Sequence, residues 1–195
     1  FDKALNTSDQ EVIYETLIQN NKESISELLN ISKDIYNGVV NAFMKEDIKT
    51  LRKASNDCRL AKDKMKQLKR KEIIIMRRLD DKMINKNTWF HLSYNCIEQI
   101  LYALRRICDP CKEYVDNSFT PLDKKYLPEV ENLKDKVLWS LSVADNTILN
   151  SDYKDVEYIM EQITERESAV IEMSHEQMNR IQHDRDNIDL ALLYL

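Results

Sequence analysis

The sequence predicts an all-α protein, an elongated antiparallel helical bundle, and three observations carry that reading. First, the 195 residues include one glycine and three prolines, where average usage would place roughly fourteen and ten. Hairpins, bulges and phosphate or dinucleotide loops draw on glycine for positive φ or close backbone approach, so those architectures are nearly excluded. Second, apolar residues recur in steps of three and four along most of the chain, the period of one helical face. Third, the polar links between these runs are short, which forces antiparallel neighbours. With 43% hydrophobic and 32% charged residues, the chain has the apolar content of a folded protein.

The first helix opens after Ser8-Asp9-Gln10-Glu11, a capped start with acids in its first turn. Its buried face is Ile13, Leu17, Ile25, Leu28, Leu29, Ile35, Tyr36, Val39, Val40 and Phe43. Gly38 falls inside that pattern at a cost of about 1 kcal/mol against alanine, and is read as permitting close helix packing. Lys45-Glu46-Asp47 breaks the run. A second helix follows with Ile48, Leu51, Ala54, Cys58, Ala61, Met65, Leu68, Ile75, Met76 and Leu79, ending in the polar link Asp80–Asn87. A third runs from about Thr88 through Phe90, Ile97, Leu101 and Leu104 to Tyr114 and Val115, with Asp109-Pro110 as a point where proline breaks a hydrogen bond and kinks the axis.

The strongest boundary is Asn117–Asp123, punctuated by Pro121. A fourth helix then carries Leu127, Val130, Leu133, Val137, Leu138, Leu141 and Ala144, with Pro128 in the first turn where a missing N–H is tolerated. It ends near Asn150-Ser151-Asp152. A fifth holds Val156, Ile159, Ile163, Val170, Ile171, Met173, Met178 and Ile181, and a sixth begins near Asn187. Glu46-Asp47-Ile48-Lys49-Thr50-Leu51 resembles Ser151-Asp152-Tyr153-Lys154-Asp155-Val156, and Phe90–Tyr94 resembles Leu190–Tyr194, so three helices followed by three more is the simplest account. The chain is read as one domain, 1–195, with a first three-helix repeat over 1–118 and a second, incomplete repeat over 119–195. Starting at Phe1 and stopping at Leu195 inside an apolar stretch, it reads as part of something longer.

Charge is unevenly placed. Residues 1–112 carry 21 Lys/Arg against 16 Asp/Glu, whereas 113–195 carry 8 against 18, for a net of −5. The basic excess centres on Arg59, Lys62, Lys64, Lys66, Lys69, Arg70, Lys71, Arg77 and Arg78. These cations admit a solvated helix pairing with acids of the second half, or contact with an anionic membrane surface. Nucleic acid is set aside, because the chain is acidic overall and the patch lacks interleaved aromatics.

Chemistry-bearing motifs are few. Cys108-Asp-Pro-Cys111 has the CxxC spacing, but no second CxxC or HxxxH lies nearby. Cys96, Cys108 and Cys111 fall near one apolar stripe, which favours core packing of reduced thiols. His91, His175 and His183 are scattered. Glu172-Met-Ser-His175 has the Glu-x-x-His spacing of bundle metal sites, but only one copy is present. No glycine-rich loop, nucleophile elbow or isolated carboxylate pair appears. The expectation is therefore no enzyme, no cofactor, and no catalytic or metal-ligating residue.

Two segments carry a family resemblance. Cys96 to Leu122, with Tyr114-Val-Asp-Asn-Ser-Phe-Thr-Pro-Leu122 after its long helix, resembles the PhoU-like cytoplasmic domain at the C-terminus of bacterial sodium/phosphate cotransporters. Gln177-Met-Asn-Arg-Ile-Gln182, leading to Leu190-Ala-Leu-Leu-Tyr-Leu195, does so too, and Leu68-Lys-Arg-Lys71 suits that group. The resemblance implies tandem three-helix bundles with the sixth helix truncated. It also implies a non-enzymatic regulatory role at the cytoplasmic face of the cell membrane. The implied partners are the transporter's transmembrane portion, an anionic membrane surface through Arg59–Arg78, and a second copy of the chain. In PhoU proper an acidic ExxxD signature can bind metal. Here Arg105-Arg106-Ile107-Cys108-Asp109 keeps the aspartate but puts Arg105 at the acid's place, and two cations beside one carboxylate oppose a metal. A free-standing PhoU-type regulator and a spectrin-like spacer are the alternatives.

Overall fold

A computed structural model describes residues 7–79, 81, 88–119, 121–122, 124–154 and 156–183. Five helices account for most of them: α1 Thr7–Met44, α2 Ile48–Met76, α3 Thr88–Asp116, α4 Leu127–Asn150 and α5 Val156–His183, with one 3-10 turn at Lys124–Tyr126. Among the described residues there is no strand. These bounds follow the apolar periodicity closely. The link 80–87 lies outside the described residues apart from Asp81, as does the sixth helix expected from Asn187.

The central element is α1, which packs along α2, α3 and α4. Cross-helix hydrogen bonds give the directions. Asn21 near the start of α1 bonds Glu72 near the end of α2, so these two are antiparallel. Ser93 meets Asn21, and Tyr114 packs edge-on to Phe43 with ring centroids 5.7 Å apart, so α3 runs parallel to α1. Lys134 reaches Asn41 and Asp145 reaches Asn30, which makes α4 antiparallel to α1. The Arg166 guanidinium lies 3.5 Å from the centroid of the Trp139 ring, folding α5 back along α4.

The core sits between α1, α2 and α3. Leu17, Leu28, Leu51, Phe90, Tyr94 and Cys108 are all fully enclosed there. Each such aliphatic or aromatic side chain contributes roughly 1.5–3 kcal/mol by leaving water. Small residues Ala54, Cys58 and Ala61 lie on the buried stripe of α2 between Leu51 and Met65. By contrast Val137, Leu138 and Leu141 of α4 are only half-buried, and Tyr158, Met160 and Ile171 of α5 are exposed.

Three local features differ from the sequence reading or extend it. Gly38 does lie inside α1, but a Cβ built on it meets nothing within 4 Å. It faces an open groove between α1 and α2 rather than a close helix contact. Pro110 does not end α3, which is helical from Thr88 to Asp116. Pro110 and Arg106 both lie on the exposed side of α3, so the Arg106 carbonyl left without an N–H donor is on the solvent side of the helix.

The third feature concerns the turns. Glu46, Ser118 and Ser151 have φ of 54°, 54° and 52°, the left-handed conformation that glycine usually supplies after a helix. Two of these belong to the similar segments noted above. After Glu46, the Asp47 carboxylate accepts from the Lys49 and Thr50 N–H groups; after Ser151, the Asp152 carboxylate accepts from Lys154 N–H. A left-handed residue followed by an Asx-type cap thus turns α1 into α2 and leads from α4 towards α5. The other similar pair cannot be compared, because Leu190–Tyr194 lies outside the described residues.

Candidate functional site

The basic run of α2 builds the most distinctive surface of the molecule. Nine cations between Arg59 and Arg78 face two acids, Asp63 and Glu72. Of the cations, Lys64 and Lys69 are half-buried and the others exposed. Asp63 pairs with Arg59 at 3.4 Å on the same helix. Glu72 points the other way: it is 2% exposed, inside the α1–α2–α3 core. Asn21 Nδ2 donates to its Oε2 at 2.7 Å and the Tyr94 hydroxyl donates to its Oε1 at 2.8 Å. Burial and the neighbouring Glu72 charge push the Tyr94 phenol far above its ordinary range, so it stays a donor. The carboxylate that could cancel the outer charge is thereby turned inward.

The solvated-helix reading expected these cations to pair with acids of the second half. Among the described residues they do not. The one cross-helix ion pair from Arg59–Arg78 among the described residues joins Lys64 to Glu27 of α1, and none there leads from the segment past residue 112. Lys62, Lys66 and Arg70 make no ion pair among the described residues. Leu60 and Ile74 are 49% and 54% exposed, so apolar side chains lie among the cations on the outer side of α2.

Towards α3 this surface deepens into a groove of about 710 Å³. Arg52, Arg59, Lys62 and Lys66 come from α2, and Arg105 and Glu98 from α3, with Cys58 and Leu101 at its floor. Arg52 is tied to Asp116 at 2.7 Å and Arg105 to Asp109 at 3.2 Å. Asp109 also accepts from the Ser55 hydroxyl at 3.2 Å. The residues matching the acidic metal signature are therefore an ion pair within α3, and Asp109 is also tied to α2 through Ser55.

The remaining candidates separate. Cys108 and Cys111 are buried, as the apolar stripe implies, but Cys96 is exposed and off it. Cys108 has its thiol contact with Cys58 of α2, a pairing the CxxC spacing did not reveal. His91 and His175 are exposed, as is Glu172. The His183 side chain lies outside the described residues. Among the described residues no three His, Cys, Asp or Glu side chains converge as metal ligands.

Sequence reasoning missed Glu72, although a signal exists. It stands seven residues after Met65 and four before Met76, on the buried stripe of α2.

The chain matches no protein-family model, no curated protein and no solved structure. A wide cationic surface interrupted by exposed apolar side chains suits an extended anionic surface.

Proposed function

We propose that this chain is a non-enzymatic regulatory domain that works by contact, laying the outer side of α2 on the anionic inner face of a membrane. The observation that carries the proposal is the run Arg59–Arg78, whose two acids are a paired Asp63 and an inward Glu72. Each Lys or Arg near an anionic leaflet contributes about 1 kcal/mol, so nine give ample attraction even when only some reach the surface. Exposed Leu60 and Ile74 supply the apolar contacts that an interfacial helix makes. Among the described residues no helix is long and apolar enough to cross a bilayer, so contact would be from one side.

The PhoU-like resemblance extends this reading to the cytoplasmic domain of a sodium/phosphate cotransporter, with the transporter's membrane portion as partner. The antiparallel pairing of α1 with α4, and the shared cap at Asp47 and Asp152, support two related three-helix halves. With one glycine the chain offers no backbone cradle for phosphate, so regulation would act through contact. Sedimentation with vesicles tests the contact: binding to vesicles containing phosphatidylserine, and none to neutral phosphatidylcholine, is expected. Equal partitioning to both would overturn it. The coding sequence ahead of Phe1 tests the transporter: apolar segments of about 20 residues are expected, and their absence would overturn it.

A further inference from the structure

Under the floor of the basic groove two thiols meet across a helix interface. Cys58 of α2 and Cys108 of α3 are 5% and 0% exposed, and their thiols lie against one another. The register of the two helices independently places them opposite one another. Tyr94 bonds Glu72 on one side of the pair and Ser55 bonds Asp109 on the other. In this antiparallel register position 58 faces position 108. A disulfide needs Cα atoms within about 7 Å, so opposed positions on two packed helices are where one could form.

We propose that Cys58 and Cys108 form a redox-active dithiol, which a hydroperoxide converts to a disulfide tying α2 to α3 beneath the groove. The two sulfurs differ in the way this chemistry needs. The hydrogen bond from Cys108, helped by Arg105, holds the Cys58 thiol below its ordinary range despite burial and the nearby Asp109 and Asp57 charges. The same bond and burial hold the proton on Cys108. Cys58 also lines the groove, through which a small oxidant enters. Its thiolate attacks one peroxide oxygen; the O–O bond breaks, and the departing alkoxide or hydroxide takes up the thiol proton. The resulting Cys58 sulfenic acid is attacked by the Cys108 sulfur. An S–S bond forms as the S–O bond breaks, and hydroxide leaves with the Cys108 proton as water. Two thiols lose two electrons and the peroxide gains them. Cys111 stays outside this exchange, because it is buried beside Tyr36 of α1 and not against Cys58.

The test is oxidation of the reduced, folded chain with hydrogen peroxide, followed by intact mass and non-reducing tryptic mapping. The monomer mass should fall by about 2 Da, two hydrogens. The peptide Ala54–Arg59 should become linked to Ile107–Lys112, and dithiothreitol should reverse both changes. Cys111→Ala should keep the link and Cys108→Ala should lose it. The thermal midpoint should rise on oxidation and return on reduction, because the bond closes a long loop in the unfolded chain. A link within Ile107–Lys112, dimers through Cys96 with Cys58 still alkylatable, or oxygen additions without a cross-link would each overturn the proposal. Should Cys108→Ala fail to fold, the wild-type map and Cys111→Ala decide.

Discussion

Tyr94→Phe removes one oxygen from the centre of the first three helices and tests why α2 can carry so much outward charge. The Tyr94 hydroxyl donates to Glu72 Oε1 at 2.8 Å, and Asn21 donates to Oε2 at 2.7 Å. All three residues are at most 2% exposed, so water has little access to replace a lost donor. A hydrogen bond to a charged group contributes roughly 1.5–3 kcal/mol, and about 2 kcal/mol is expected here. With a urea dependence of about 2 kcal/mol per M, the unfolding midpoint followed by helical circular dichroism should fall by roughly 1 M. Glu72→Met supplies the control: once the carboxylate is gone, the hydroxyl has no charged acceptor, and Tyr94→Phe should be nearly neutral. The cycle then returns a coupling of about 2 kcal/mol. A Tyr94→Phe loss below about 0.5 kcal/mol, or the same loss in both backgrounds, would refute the buried network.

Other substitutions probe the backbone and the caps. Gly38→Ala should stabilise the chain by about 1 kcal/mol, because the new methyl meets nothing within 4 Å and the helix gains propensity; a lower urea midpoint would contradict this. Glu46→Gly should also stabilise by about 1 kcal/mol, by relieving a side chain held at φ 54°, and differential scanning calorimetry reads it. The Thr50 hydroxyl, with the Thr50 and Lys49 N–H groups, holds the Asp47 carboxyl below its ordinary 3.8. The cap's contribution is therefore complete above that ordinary value and is lost as pH falls through the lower folded one. Asp47→Asn should keep most of the cap at neutral pH and remove its acid dependence, seen in unfolding midpoints across the acid range.

Most of the architecture was legible in the chain. Helix ends were marked by Asp47, by Pro121 and by Asn150-Ser151, because caps and breakers act on neighbouring residues that a sequence displays directly. The antiparallel order followed from short links. What could not be read depends on distance through space. The basic run was visible, but the inward turn of Glu72 depends on donors from α1 and α3, 51 and 22 positions away. Cys108 and Cys111 were legible as core packing from their shared stripe, whereas the contact of Cys108 with Cys58 depends on the antiparallel α2. Gly38 was misjudged because propensity records its cost, while only the fold shows that no close neighbour requires it.

Charge reversal along one stripe of α2 tests the central claim most directly. Lys62, Lys66 and Arg70 recur every four residues, are exposed and make no ion pair among the described residues, so Lys62→Glu, Lys66→Glu and Arg70→Glu together should leave the fold intact. At about 1 kcal/mol per cation, their loss should weaken binding to phosphatidylserine vesicles by roughly a hundredfold at low salt, with the far-ultraviolet spectrum unchanged. A folded triple variant that binds those vesicles as tightly as the parent chain would contradict a membrane-facing α2.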